Sequence, residues 1–225
     1  MEFKKLADAW KLLKFNKYFL NTVTIVALSL FASLICNGLG AFSLAIIKPK
    51  GHKIIFFLIL ITLMVPAVTN MVPLYKNLKT LTLLNERGRF ALGLSFGANA
   101  FYLVMIKTFF ETMPKTVLEA AQIDGCNKIQ LFYKVVVPMS ISIFMVVAIF
   151  TFNASWSDFT LPFLVLLKAD TQTVMVRLYV INNDPNIAKS MVLMATLLAT
   201  IPPVIAFLIF QKQITDNVMA SGMKD

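Results

Sequence analysis

The chain has 225 residues, 58% of them apolar and 14% charged, against about 45–50% apolar and about 25% charged in an ordinary soluble domain. With a mean hydropathy of +0.77, 20 Phe and 12 Met, it carries more apolar surface than one water-exposed fold of this size could cover, which excludes a soluble enzyme and assigns the excess to lipid. Lys and Arg number 21 against 11 Asp and Glu, a net +10; basic residues flanking apolar runs are ordinary in membrane proteins, so nucleic acid is not an expected partner.

Residues 1–19 place Phe3, Leu6, Trp10, Leu13 and Phe15 among five lysines on approximately one helical stripe, the pattern of an amphipathic segment lying on a membrane surface. A bilayer core about 30 Å thick is crossed by about 20 apolar residues in a helix. Five stretches free of Asp, Glu, Lys and Arg satisfy this: 20–47, 54–75, 90–106, 137–157 and 190–210. They predict an all-α polytopic membrane protein with five transmembrane helices in a domain over 20–210, a polar loop at 111–134 and a C-terminal tail at 211–225. The first run starts too late, is too long and lacks an A-x-A pattern for a cleaved signal peptide. Pro66 and Pro73 in the second run, and Pro202 and Pro203 in the fifth, predict kinks or breaks, since each removes a backbone donor.

No run carries an ionisable residue in its interior; Lys107 and Asp158 stand only at run ends. Ion-coupled carriers generally hold their coupling charge at membrane depth, so energy is expected to enter from outside the spans. It cannot enter through a P-loop in this chain, because no Gly-Lys dipeptide exists. Cys36 and Cys126 have neither metal-ligand spacing nor the character of a bridge, and His52, the single histidine, sits in the basic turn Lys48-Pro-Lys-Gly-His-Lys53. No catalytic residue, metal ligand or cofactor site is expected.

The loop 111–134 reads as helix, glycine turn, helix. Pro114 opens it, Glu119, Ala120 and Ala121 favour helix, Asp124 and Gly125 close it, and Cys126 to Tyr133 resume. The two alanines allow close backbone approach, Gly125 permits positive φ, and Leu118, Ile123, Ile129 and Phe132 are expected to make an apolar docking patch.

These residues resemble a known signature. Glu119-Ala-Ala, three residues, Gly125, nine residues, then Val135-x-Val137-Pro138 resembles the E-A-A-x3-G-x9-I-x-L-P motif of the membrane subunits of bacterial ABC importers, with Val for Ile and Leu. Tyr18-Phe-Leu-Asn-Thr22, Pro66 with Pro73-Leu-Tyr75, Trp156-Ser-Asp-Phe-Thr-Leu-Pro162 and Ala220-Ser-Gly222-Met-Lys224 are similar to stretches of the carbohydrate-uptake, maltose-type branch, in the same order. The resemblance implies the type I importer permease core without that branch's first span, in the bacterial inner membrane. It also implies a transport subunit rather than an enzyme, working with cytoplasmic ATPase subunits, a second homologous permease and an extracytoplasmic solute-binding protein. Glu119, Ala120, Ala121, Asp124 and Gly125 would form the coupling helix and its turn, and Pro138 would start the fourth span. The implied topology, loop 111–134 inside, leaves fewer lysines and arginines inside than outside, against the positive-inside rule.

Polar residues in or at the ends of spans are candidates for the solute path: Asn37, Asn70, Asn99, Asn153, Trp156 and Asp158. Amides and carboxylates beside an aromatic ring suit a sugar, which makes Asn153 with Trp156 the apt pair. Each equally suits an interhelical hydrogen bond or an interfacial anchor. The expected function is the permease subunit of an ATP-driven importer for a sugar or related polyol; a permease for another solute and a non-transporting membrane scaffold are the alternatives.

Overall fold

The computed structural model describes Trp10 and residues 14–222, with side chains described as far as Gln211. Phe3, Leu6 and Leu13 of the expected surface stripe, and the last tail residues, lie outside the described residues. Every described element is helical: α1 Phe15–Phe42, α2 His52–Thr62, α3 Met71–Thr80, α4 Glu86–Ser95, α5 Ala100–Glu111, α6 Lys115–Ile123, α7 Lys128–Met139, α8 Ile141–Ser157, α9 Thr160–Val165, α10 Val174–Asn182 and α11 Lys189–Gly222. Three segments are long and apolar enough to cross a membrane: Phe15–Ile47, Glu86–Glu111, which joins α4 and α5 across a short break, and Lys189–Gln211. Counting the bent pairs α2 with α3 and α7 with α8 as one span each gives five.

Phe15 does not belong to a membrane-surface stripe. It is the first residue of α1, is buried, and packs with Tyr18, Val174, Ile181 and Leu198. The apolar run was expected from Leu20; the helix starts earlier because Phe15 and Tyr18 have core partners that a local pattern cannot show. Along α1 the buried hydroxyls of Thr22 and Ser29 donate to the carbonyls of Tyr18 and Ile25, four residues back, at 2.9 and 2.8 Å. Polar groups are thereby satisfied inside an apolar helix.

Pro66 interrupts the second run. α2 ends at Thr62, a 3-10 turn covers Ala67–Asn70, and α3 leaves at 96° to α2. Pro73 lies in the first turn of α3, where its missing N–H costs nothing. The fourth run bends by 81° at Ser140. Pro138 lacks an N–H there, and the Ser140 hydroxyl donates to the Val136 carbonyl at 2.7 Å, drawing off an acceptor of the helical ladder.

Pro202 and Pro203 do not break the fifth run: α11 runs through both. Pro203 cannot donate to the Ala199 carbonyl, four residues back. The indole N–H of Trp156 does so instead, at 3.1 Å and fully buried. A side chain from α8 thus supplies the donor that the proline removes.

The chain forms two compact units. Among the described residues the first comprises Trp10 and residues 14–32, 67–96 and 150–209. Its interior is built from the Phe15, Tyr18, Val174 and Ala199 cluster and from a second cluster of Ile25, Leu78, Leu92, Val165 and Leu166. Gly93 lets α4 close on α1, since a Cβ there would stand 2.5 Å from the Leu28 Cβ. The second unit comprises, among the described residues, 33–66, 97–149 and 210–222, with a core that includes Phe42, Tyr102, Ile106, Phe110, Leu131 and Val147.

Candidate functional site

The loop between α5 and α7 is held by hydrogen bonds at each of its turns. Pro114 adopts an extended conformation and starts α6. At the other end Gly125 has φ +84; its N–H donates to the Gln122 carbonyl at 3.1 Å, and the Cys126 N–H donates to the Ala121 carbonyl at 3.0 Å. This pair of bonds is a Schellman closure, which takes up carbonyls that the last helical turn leaves open. One residue further, Asn127 and Gln130 form a reciprocal capping box: the Asn127 Oδ1 accepts from the Gln130 N–H, and the Gln130 Oε1 accepts from the Asn127 N–H, both at 2.9 Å. Two helix ends meet across two residues with their polar groups bonded, so the direction of α6 is set by local chemistry.

α6 has two faces. Ala121 is buried and Leu118 and Cys126 half-buried, all against the chain's own core, in the cluster with Phe110, Met113 and Leu131. Lys115, Thr116, Glu119, Ala120, Gln122, Ile123 and Asp124 are exposed. The paired-alanine reading is corrected accordingly: Ala121 is small because this chain's interior closes on it, and Ala120 alone is presented outward. The expected four-residue apolar patch also divides, since Phe132 and Leu118 pack inward while Ile123 and Ile129, 86% and 75% exposed, do not. Pro138 is exposed, in the last turn of α7 just before the bend at Ser140.

A Cβ at Gly125 would meet nothing within 4 Å, so substitution there costs only backbone strain. Gly125→Val is expected to destabilise the loop by about 1–2 kcal/mol, the cost of a left-handed non-glycine residue. Gly125→Asn, which tolerates that region, is expected to cost much less. Thermal unfolding of the two purified variants checks the ranking.

The residues proposed for a solute path separate. Asn153 is exposed on α8, whereas Trp156 is 1% exposed, stacked on Phe152 and edge-on to Phe19, with its N–H committed to Ala199. The sugar-stacking pair is therefore not formed: Trp156 is a core anchor. Asn37 and Asn99 serve structure too. Asn99 caps α5, its side chain accepting from the Tyr102 N–H at 3.1 Å, and its own N–H donates to the buried Asn37 Oδ1 at 3.0 Å. The Asn37 amide in turn donates to Ser33. These bonds satisfy the break between α4 and α5 inside the third run. Asn70 is exposed at the end of the 3-10 turn.

Asp158 lies beyond the end of α8, half-buried. Burial pushes its carboxyl above the usual carboxylate range, and hydrogen bonds from the backbone at Leu161 and Thr160 partly oppose this. A raised native value means that the folded chain holds the proton more tightly than the unfolded chain, so stability falls as pH rises from the ordinary aspartate range through the raised one. Asp158→Asn keeps an acceptor oxygen and removes the titration; melting across acidic pH is expected to lose that decline.

One group that chemical pattern reading passed over is Asn21, buried on α1. Its amide donates to the carbonyls of Asp170 and Gln172 at 3.0 and 2.9 Å, and its oxygen accepts from the Arg89 guanidinium, fastening the 168–173 segment. The Tyr18-Phe-Leu-Asn-Thr22 string contained it; the Asn127/Gln130 spacing was also readable as a capping box.

Every described element is thus helical, up to five segments are long and apolar enough to cross a membrane, and the loop between α5 and α7 is a helix closed at Gly125. Residues 36–218 match the family described as binding-protein-dependent transport system inner membrane component, and the chain belongs to that family. It is 30% identical over 220 residues to the diacetylchitobiose uptake system permease protein NgcG of Streptomyces coelicolor, covering 96% of this chain and 72% of that one. It is 28% identical to the melibiose/raffinose/stachyose import permease protein MelC of Bacillus subtilis, covering 100% and 82%. The fold is that of a chain in the crystal structure of a bacterial ABC transporter involved in import of the acidic polysaccharide alginate, with TM-score 0.78 and 22% identity over 91% of this chain and 78% of that one.

Proposed function

We propose that this chain is the permease subunit of an ATP-driven importer of a sugar or oligosaccharide, with α6 as the element that docks on a separate cytoplasmic ATPase. The observation that carries the docking role is the outward face of α6. Glu119, Ala120, Ile123 and Asp124 are exposed on a helix that Pro114 starts and the Gly125 closure ends, with the Asn127 capping box opening α7 directly after it. An acidic side chain, a small residue that permits close approach and an unshielded isoleucine suit a protein cleft that offers a basic group. The sugar is inferred from what the printed names of the relatives say they import.

The same reading places the loop 111–134 and the tail in the cytoplasm of a bacterial inner-membrane protein. A second homologous permease completes the path, and a solute-binding protein delivers the solute on the opposite side. Within the path, Asn153 and Asp158 stay as solute contacts, and Trp156 supports α11. Reconstitution tests the reading: the purified chain alone should not turn over ATP, and its complex with the ATPase subunits should. ATP turnover by the isolated chain, or failure of an ATPase to associate with it, would overturn the assignment.

A further inference from the structure

Lys107 is the one ionisable side chain among the buried polar residues described, 9% exposed in the last turns of α5. Its ammonium makes two charge-dependent contacts. It pairs with Glu111, one turn on, at 2.8 Å, and it stands 4.1 Å from the centre of the Phe56 ring on α2. A buried cation with neither partner would be costly, and a desolvated cation over an aromatic face is worth more than an exposed one.

The position matters because of what surrounds it. α2 has no buried residue of its own, so apolar packing within this chain holds it weakly. α5 runs into α6 through only Thr112, Met113 and Pro114, and Phe110, Met113 and Ala121 share one core cluster. α5 and α6 are thus joined by chain and by packing, and the Lys107 head reaches from that segment to α2. All these residues belong to the second compact unit.

We propose that Lys107 is a positioning residue that ties α2 to the α5–α6 segment, so that displacement of the docking helix α6 carries α2 with it. The proposal rests on the docking role given to α6 above. It differs from that role in making the charge of Lys107, rather than its bulk, the link.

The test uses the assembled complex of this chain with its second permease and ATPase subunits in proteoliposomes. In a Cys36→Ser, Cys126→Ala background, spin labels are placed at Ile55→Cys on α2 and Thr112→Cys after α5, both exposed positions. The interlabel distance is measured before and after trapping with ATP and orthovanadate. With Lys107 present, or Lys107→Arg, the distance should not change, because the two elements move as one. With Lys107→Met, which fills a similar volume without charge, trapping should shift or broaden it. If Lys107→Met does not assemble, Phe56→Leu removes the ring from the cation and should give the same shift. An unchanged distance in trapped Lys107→Met, or in trapped Phe56→Leu where it stands in for Lys107→Met, overturns the link while leaving the docking role of α6 intact. Failure of the unsubstituted chain to bind the ATPase overturns both.

Discussion

Glu119→Lys is expected to weaken ATPase association strongly while the chain still inserts and folds. Glu119 is exposed at the middle of α6 and has no part in the interior of this chain. Lysine keeps helix propensity, so α6, its Gly125 closure and the Asn127 capping box should survive. Only the sign of the charge on the outward face is reversed. Placing an unpaired like charge in a desolvated interface costs on the order of 2–5 kcal/mol, a loss of affinity of roughly 30-fold or more. Pull-down of the ATPase on the purified variant measures the loss, and thermal unfolding of the variant alone shows that the fold is kept. Glu119→Gln should fall between, since it removes the attraction without adding repulsion. Equal binding by all three would show that this face of α6 is not the docking surface.

Trp156→Ala should act in the opposite way, through stability. It removes a fully buried indole that packs on Phe19 and Phe152 and donates to the Ala199 carbonyl. Truncating a large buried aromatic costs about 3–5 kcal/mol. Trp156→Phe separates the two contributions, keeping much of the ring packing while leaving the carbonyl opposite Pro203 without its donor, at about 1–3 kcal/mol. Melting in detergent should rank native above Phe above Ala. A residue that stacked on a passing sugar would instead change transport with little change in melting, and that pattern would restore the solute-contact reading of Trp156.

The all-helical membrane character was legible in the sequence because it depends on composition and on the spacing of charges, which are local. The turn at Gly125 was legible for the same reason: one residue type meets one backbone need. What escaped depended on partners far along the chain. The break between α4 and α5 is bonded by Asn37, 62 residues before Asn99. α11 continues through Pro202 and Pro203 while Trp156, 43 residues from Ala199, donates to the carbonyl freed by Pro203. Ala120 and Ala121 look equivalent as letters, yet one helical step of about 100° turns the second into the core and leaves the first outside. Phe15 looks like a surface residue in its local pattern because Val174 and Leu198, its neighbours in the fold, come more than a hundred residues later.

The central claim, that α6 meets a cytoplasmic ATPase, is tested most directly by photo-cross-linking in intact cells. A photoreactive side chain at Ile123, 86% exposed on the outward face of α6, should form an adduct with the ATPase subunit, and the same group at the exposed Ile61 of α2 should not. An ATPase adduct from Ile61 and none from Ile123, or an adduct between Ile123 and an extracytoplasmic protein, would contradict it.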